Sequence, residues 1–206
     1  MPNGIALFLD VDNTLTEENI QETYAKHLEC QPEYADIEVK FQSGSIGAAE
    51  FGERLVGLFA SRGFNRRMAV ELADSVRLRQ GVHQLLTLPV DIFLVSSGPD
   101  YFVRPLGERF KVPIEQVMCS VYSFHRSGGV VSGCAAASDD ARARFVRSNA
   151  TKFTLSIGLG DSPVRDLPFL NACNIGLLTV PTEDHLCAPD LGSVEGLVRA
   201  VCGSLI

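Results

Sequence analysis

The chain has 206 residues, 46% of them apolar, and a net charge of −7 with a pI near 5.1. That length suits one core domain carrying an insert or cap, and the acidic balance argues against a nucleic-acid partner. No apolar run approaches the ~20 residues that span a bilayer, and Met1-Pro2-Asn3-Gly4 lacks the basic and apolar segments of a secretory leader, so no membrane partner and a cytoplasmic location are expected.

The first element is Ile5-Ala6-Leu7-Phe8-Leu9, an unbroken apolar run that predicts a buried strand. Asp10-Val11-Asp12-Asn13-Thr14 follows at its carboxyl end, where open α/β sheets hold their ligands. Residues 17 to 88 read as largely helical. Ile20 to Leu28 is one helix, and Ala49 to Phe59 another, with Phe51, Leu55, Leu58 and Phe59 on one face. Gly63 stops that helix and Asn65 caps a third, with Ala69, Leu72, Ala73 and Val76 as its stripe. Glu29 to Gly47 lacks a regular pattern and reads as a loop or part of a lid. Val82 to Leu88 follows Gly81.

A second buried strand, Val90 to Val95, ends in Ser96-Ser97-Gly98-Pro99, and a helix is predicted from Asp100 to Phe110. Val117 to Phe124 and Gly129 to Ser132 flank a Ser127-Gly128-Gly129 turn and predict a hairpin. Asp140 to Arg147 is a short helix. Phe153 to Leu159 is a third buried strand, leading into Gly160-Asp161-Ser162-Pro163. A helix, a strand at Asn174 to Val180 and a closing helix at 193 to 202 complete the chain. Strands alternating with helices predict an α/β fold, a Rossmann-like doubly wound parallel sheet with its site along one rim. The insert is too long for one crossover helix, so residues 1–16 and 89–206 are expected to form the core and 17–88 a small helical cap.

The six cysteines are scattered without a CxxC pair, and the four histidines are dispersed. They read as reduced thiols and ordinary imidazoles, not a zinc site. What the strand ends offer is carboxylate. Phosphoryl transfer through an aspartate needs a nucleophile, an acid for the leaving group, a metal to cancel charge and donors around the phosphate. Asp10 or Asp12 can attack while the other manages the proton. Ser96 or Ser97 can donate to phosphate oxygens. Asp161 and Asp166 add carboxylate for a hard cation, and an all-oxygen set favours Mg²⁺.

In this respect the chain resembles the haloacid dehalogenase superfamily of phosphatases. Its first motif, Asp-x-Asp-x-Thr, matches Asp10 to Thr14; its second, an apolar strand ending in Ser or Thr, matches Phe93 to Ser96; its fourth, Gly-Asp with a later acid, matches Gly160-Asp161 and Asp166. A helical insert between the first two motifs, and Val95-Ser96-Ser97-Gly98, are similar to the phosphoserine-phosphatase-like branch. The resemblance implies Asp10 as the nucleophile that becomes a phosphoaspartate and Asp12 as the acid and base. It implies Mg²⁺ held by Asp10, the Asp12 backbone carbonyl and Asp161, with Asp166 behind them. Ser96, Ser97 and Gly98 would bind the phosphate. The family's third-motif lysine is missing: the stretch runs Ser138-Asp139-Asp140-Ala141-Arg142-Ala143-Arg144. Arg142 stands at a tolerable distance before Asp161, with Arg144 in reserve, and an arginine fork suits phosphate oxygens. The expected activity is Mg²⁺-dependent hydrolysis of a small-molecule phosphate ester. A phosphotransferase or mutase with the same chemistry, and a non-catalytic binder of phosphorylated ligands, are the alternatives. Arg54, Glu17, Glu18 and Asn19 lie where a cap could touch substrate, though surface exposure is the expected state of each. The sequence specifies neither the substrate nor an oligomeric state.

Overall fold

The computed structural model describes residues 4–126 and 129–204; Ser127 and Gly128 of the expected turn lie outside the described residues, as do both extreme termini. β1 (Ile5–Leu9) is buried along its whole length. It pairs in parallel with β2 (Asp91–Pro99) on one side and β5 (Leu155–Gly160) on the other. A strand flanked on both edges and covered on both faces must be apolar throughout, which is why the opening run does not alternate. β3 (Val117–Phe124) lies beyond β2, and β6 (Ile175–Leu178) beyond β5. β4 (Val131–Ala135) closes one edge antiparallel to β3, two residues later than the sequence pattern suggested. The order is β4-β3-β2-β1-β5-β6. The chain winds outward from β1 through β2 and β3, then crosses back to β5. The crevice between the carboxyl ends of β1 and β5 is therefore the topological switch point, where such sheets bind ligands.

Side chains of β1 divide between two cores. Ala6 and Phe8 join a cluster with α7 (Asp139–Ala150) and α8 (Leu167–Leu170), where Phe8 stacks on Phe93 at 4.6 Å between ring centroids. Leu7 and Leu9 face the opposite layer, built from α5 (Val82–Leu86), α6 (Asp100–Arg109) and α9 (Leu191–Ser204). This alternation follows from the period of two along a strand.

The insert forms α1 (Ile20–His27), α2 (Gln31–Gln42), α3 (Ala48–Ser61) and α4 (Arg66–Ala73). Asn19 caps α1 by accepting from the Gln21 and Glu22 amides, and Asn65 caps α4 by accepting from Met68. The expected irregular stretch from Glu29 to Gly47 is instead mostly helix. α2 starts with Pro32 in its first turn, where proline's missing N–H costs nothing. Its apolar stripe is thin: only Tyr34 and Phe41 are buried, while Val39 is 67% exposed, so periodicity could not reveal it. α4 ends before Val76, and α5, although inside the 17–88 stretch, packs against α9. Tyr24 of α1, Phe59 of α3 and Phe64 meet Tyr101 of α6 and Phe124 of β3 in one aromatic cluster, so the insert and the core share a continuous apolar interior. Among the described residues no helix is long and apolar enough to cross a membrane. All six cysteines are free thiols.

Candidate active site

Asp10 leaves β1 at the switch point, its amide still donating to the Leu159 carbonyl of β5 at 2.9 Å. The chain then turns sharply: Asn13 adopts a left-handed φ of 57°, a conformation asparagine tolerates better than most residues. The Asn13 amide donates to Thr16 Oγ1 at 3.0 Å. This turn swings Thr14 back so that its hydroxyl donates to Asp10 Oδ2 at 2.9 Å and approaches Asp161 Oδ1 at 3.5 Å. Asp12 faces elsewhere. Its Oδ1 accepts from the Ile20 amide at 2.9 Å, which ties it to the start of α1.

On β2, Val95 pairs with Met118 and Pro99 with Ser120, so four steps of one strand run against two of the other. Such a bulge lifts residues out of the ladder and re-aims them. Ser97 thereby lines the pocket above the acids. Ser96 is fully buried beneath it, accepting from the Gly98 amide at 2.8 Å and hydrogen-bonded to the Asp12 carboxylate. Gly98 lies directly against Asp12, leaving no room for a side chain.

From β5 come Gly160 and Asp161. Asp166 folds back to accept from the Asp161 and Ser162 amides, both at 2.9 Å, through Oδ2. A Cβ on Gly160 would collide with the Asp166 carboxylate, which explains the Gly-Asp pairing. Asp10, Asp161 and Asp166 each offer an oxygen within 4.8 Å of the others. Both Asp166 oxygens already accept from protein donors, Oδ1 taking Arg142 Nη1 at 2.8 Å. Asp166 therefore braces the other two. The Asp12 carboxylate stands outside this group of three.

The sequence left Arg142 and Arg144 as competitors, and the phase of α7 separates them: Arg144 is exposed, whereas the Arg142 side chain is 2% exposed. Arg142 Nη2 holds Asp139 at 2.9 Å and the Arg165 carbonyl at 2.8 Å, and Nη1 lies 3.7 Å from Asp10. Of the suggested cap contacts, Arg54 pairs with Glu50 on the surface, Glu17 with Arg77 and Glu18 with Lys26. Asn19 lines the pocket. Sequence reasoning missed Glu38 and Phe41 of α2 and Arg165 of the β5–α8 loop, all of which line it too. The pocket holds about 90 Å³, far below the roughly 300–1,000 Å³ of drug-sized sites. A larger cavity, about 540 Å³, opens at the amino ends of β2 and β3, away from the converging carboxylates.

Burial dominates the electrostatics. It raises the Asp10 carboxyl well above the ordinary range, and the charges of Asp166 and Asp161 push further while Arg142 opposes. Asp161 is raised to about 6 by burial and then by Asp166. Asp12 is also raised to about 6 by burial, against hydrogen bonds from Ile20 and Ser96. Clustered buried carboxylates with no histidine or cysteine form a hard-oxygen donor set, which fits Mg²⁺. This has a consequence for the metal-free protein. Carboxyls raised in the folded state hold protons that the unfolded chain releases near pH 4, so stability is full at low pH and is lost as pH rises through about 6. Asp12 alone accounts for about 3 kcal/mol by linkage. In EDTA the melting temperature should fall between pH 5 and 7.5, by on the order of 5 °C for a chain of this size. Saturating Mg²⁺ should shrink that fall. Scanning calorimetry at the two pH values checks both, and a curve indifferent to pH and metal contradicts them.

Comparison with known proteins gives the family. Residues 7–171 match the model of the haloacid dehalogenase-like hydrolases, and the chain belongs to that family. Phosphoserine phosphatases are among the proteins it is similar to. It is 24% identical over 176 residues to a phosphoserine phosphatase of Streptomyces coelicolor, an alignment covering 82% of this chain but 42% of that protein. A haloacid-dehalogenase-family hydrolase of Salmonella enterica serovar Typhi superposes with a TM-score of 0.78 at 16% identity, over 91% of this chain and 68% of the other. A phosphoserine phosphatase held as an analogue of its phospho-aspartyl intermediate gives 0.68 at 13% identity, over 86% and 87%.

Proposed function

We propose that this chain hydrolyses a small phosphate monoester, dependent on Mg²⁺, through a phosphoaspartate on Asp10. The observation that carries the reading is the convergence of Asp10, Asp161 and Asp166 with Arg142 at the switch point, with Asp12 on the same pocket wall. Asp10 and Asp161, with the Asp12 backbone carbonyl, would hold the metal, which when bound supplies positive charge to a phosphate facing the nucleophile. Thr14 orients Asp10 for in-line attack on phosphorus. Asp12, held by Ile20 and Ser96, protonates the departing oxygen and then takes a proton from the water that cleaves the phosphoaspartate. Ser97 at the pocket wall donates to phosphate oxygens, with Ser96 and Gly98 supporting that turn. Helices α1 to α4 act as a cap that excludes water and restricts the substrate. The small pocket favours an amino-acid-sized phosphate, in line with the phosphoserine phosphatases among the relatives.

The test is release of inorganic phosphate from p-nitrophenyl phosphate and from a panel of amino-acid, sugar and nucleotide phosphates, with Mg²⁺ and with EDTA. Sustained Mg²⁺-dependent turnover is expected, fastest on the smallest members. Binding without turnover under every condition overturns the hydrolytic reading.

A further inference from the structure

Arg165 is a cation that the acidic network accounts for only in part. It sits in the β5–α8 loop one residue before Asp166 and lines the pocket. Its Nη1 donates to Asp139 Oδ2 at 3.0 Å, and that carboxylate's other oxygen is taken by Arg142. Its guanidinium carbon Cζ lies over the Phe41 ring of α2, 3.5 Å from the centroid. Nε and Nη2 are both shielded from solvent and have no hydrogen-bond partner. Those two N–H groups form one edge of the guanidinium, the edge whose parallel donors match two oxygens of a carboxylate or phosphate. A buried charged donor without an acceptor is costly. Here Asp139 holds Nη1 and the Phe41 ring packs against Cζ, so the unpartnered edge is held in place.

Resting on the phosphatase reading above, we propose that Arg165 grips an oxyanion of the bound phosphate ester through Nε and Nη2 and so selects the substrate. The oxyanion belongs either to the phosphoryl group or to a carboxylate on the leaving group, and the two are separable. O-phospho-L-serine and phosphoethanolamine differ by that carboxylate alone.

Affinity for both compounds is to be measured by titration calorimetry in the Asp10→Asn protein, alone and combined with Arg165→Gln or Arg165→Lys. Arg165→Gln should weaken binding by about tenfold or more, the loss of a charge-assisted pair. Arg165→Lys keeps the Asp139 pair but not the fork, so it should not restore affinity, and it carries the test should the glutamine variant unfold. Loss for both compounds places the phosphoryl group on Arg165; loss for phosphoserine alone places the carboxylate there. Unchanged affinity in Arg165→Gln, full recovery in Arg165→Lys, or no binding of either compound by the Asp10→Asn protein overturns the proposal. Turnover by the wild-type protein is measured separately. No turnover with Arg165-dependent binding removes the hydrolytic reading alone, and turnover with Arg165-independent binding removes this one alone.

Discussion

Replacing Asp10 by Asn is expected to lower turnover by on the order of 10⁴-fold or more, the scale seen when a covalent nucleophile is removed. The fold should survive, because the amide keeps the carboxylate's shape and its oxygen can still accept from Thr14. Stability should in fact rise. Asp10 is buried beside Asp161 and Asp166, and its ionised form is opposed first by burial and then by those two charges. A neutral amide removes that opposition, so the metal-free Asp10→Asn protein should melt above the parent at pH 7.5, and the gap should narrow towards pH 5. Lost activity with gained stability is the signature of a strained functional group. Mass spectrometry of acid-quenched reactions provides a third reading: a phosphoryl group on the peptide containing Asp10 in the parent and none in the variant. Full activity in Asp10→Asn would refute its role as nucleophile.

How much of this was legible in the sequence depended on the kind of signal. Asp10 follows an unbroken apolar run and Asp161 a buried run broken only by Ser156 and glycines, so strand and site announce each other. The bulge in β2 leaves no such mark: nothing in Ser96-Ser97-Gly98 shows that two residues drop out of register and that Ser97, not the fully buried Ser96, forms the pocket wall. Arg142 and Arg144 differ by two positions on one helix, and only the rotation of α7 against α8 and β2 decides which enters the core. Helix α2 stayed hidden because Tyr34 and Phe41, seven residues apart, are its only buried anchors. Pro32 and that heptad spacing were the available clues. With α2 went Glu38 and Phe41. Arg165 carried a signal of its own, a cation inside the acidic Gly160 to Asp166 loop, whose meaning depends on Phe41 arriving from a distant helix.

Arg142→Met is expected to be the most destabilising single change at the site. The arginine side chain is 2% exposed and touches Asp166, Asp139, the Arg165 carbonyl and, more distantly, Asp10. Its own removal from water is a large cost, repaid only because these acceptors surround it. Methionine fills the volume against Phe169, over whose ring the guanidinium lies at 5.5 Å, but leaves buried carboxylates without a counter-charge. Breaking such a network from one side typically costs roughly 3–5 kcal/mol, so the variant should lose much of its stability at pH 7.5 in EDTA. Two rescues follow from the same physics. Lowering the pH towards 5 should recover stability, because Asp10 and Asp161, whose carboxyls burial holds above the ordinary range, take up protons instead of repelling. Mg²⁺ should recover part of it, because the cation opposes the charge on Asp10 and Asp161. Arg142→Lys keeps one positive charge near Asp166 and Asp10 but cannot also span Asp139 and the Arg165 carbonyl, so it should cost less than methionine and loosen Arg165. Denaturant titrations of the three proteins at pH 5 and 7.5, with and without Mg²⁺, measure each term. Equal losses at both pH values would mean that packing, and not charge, is what Arg142 contributes.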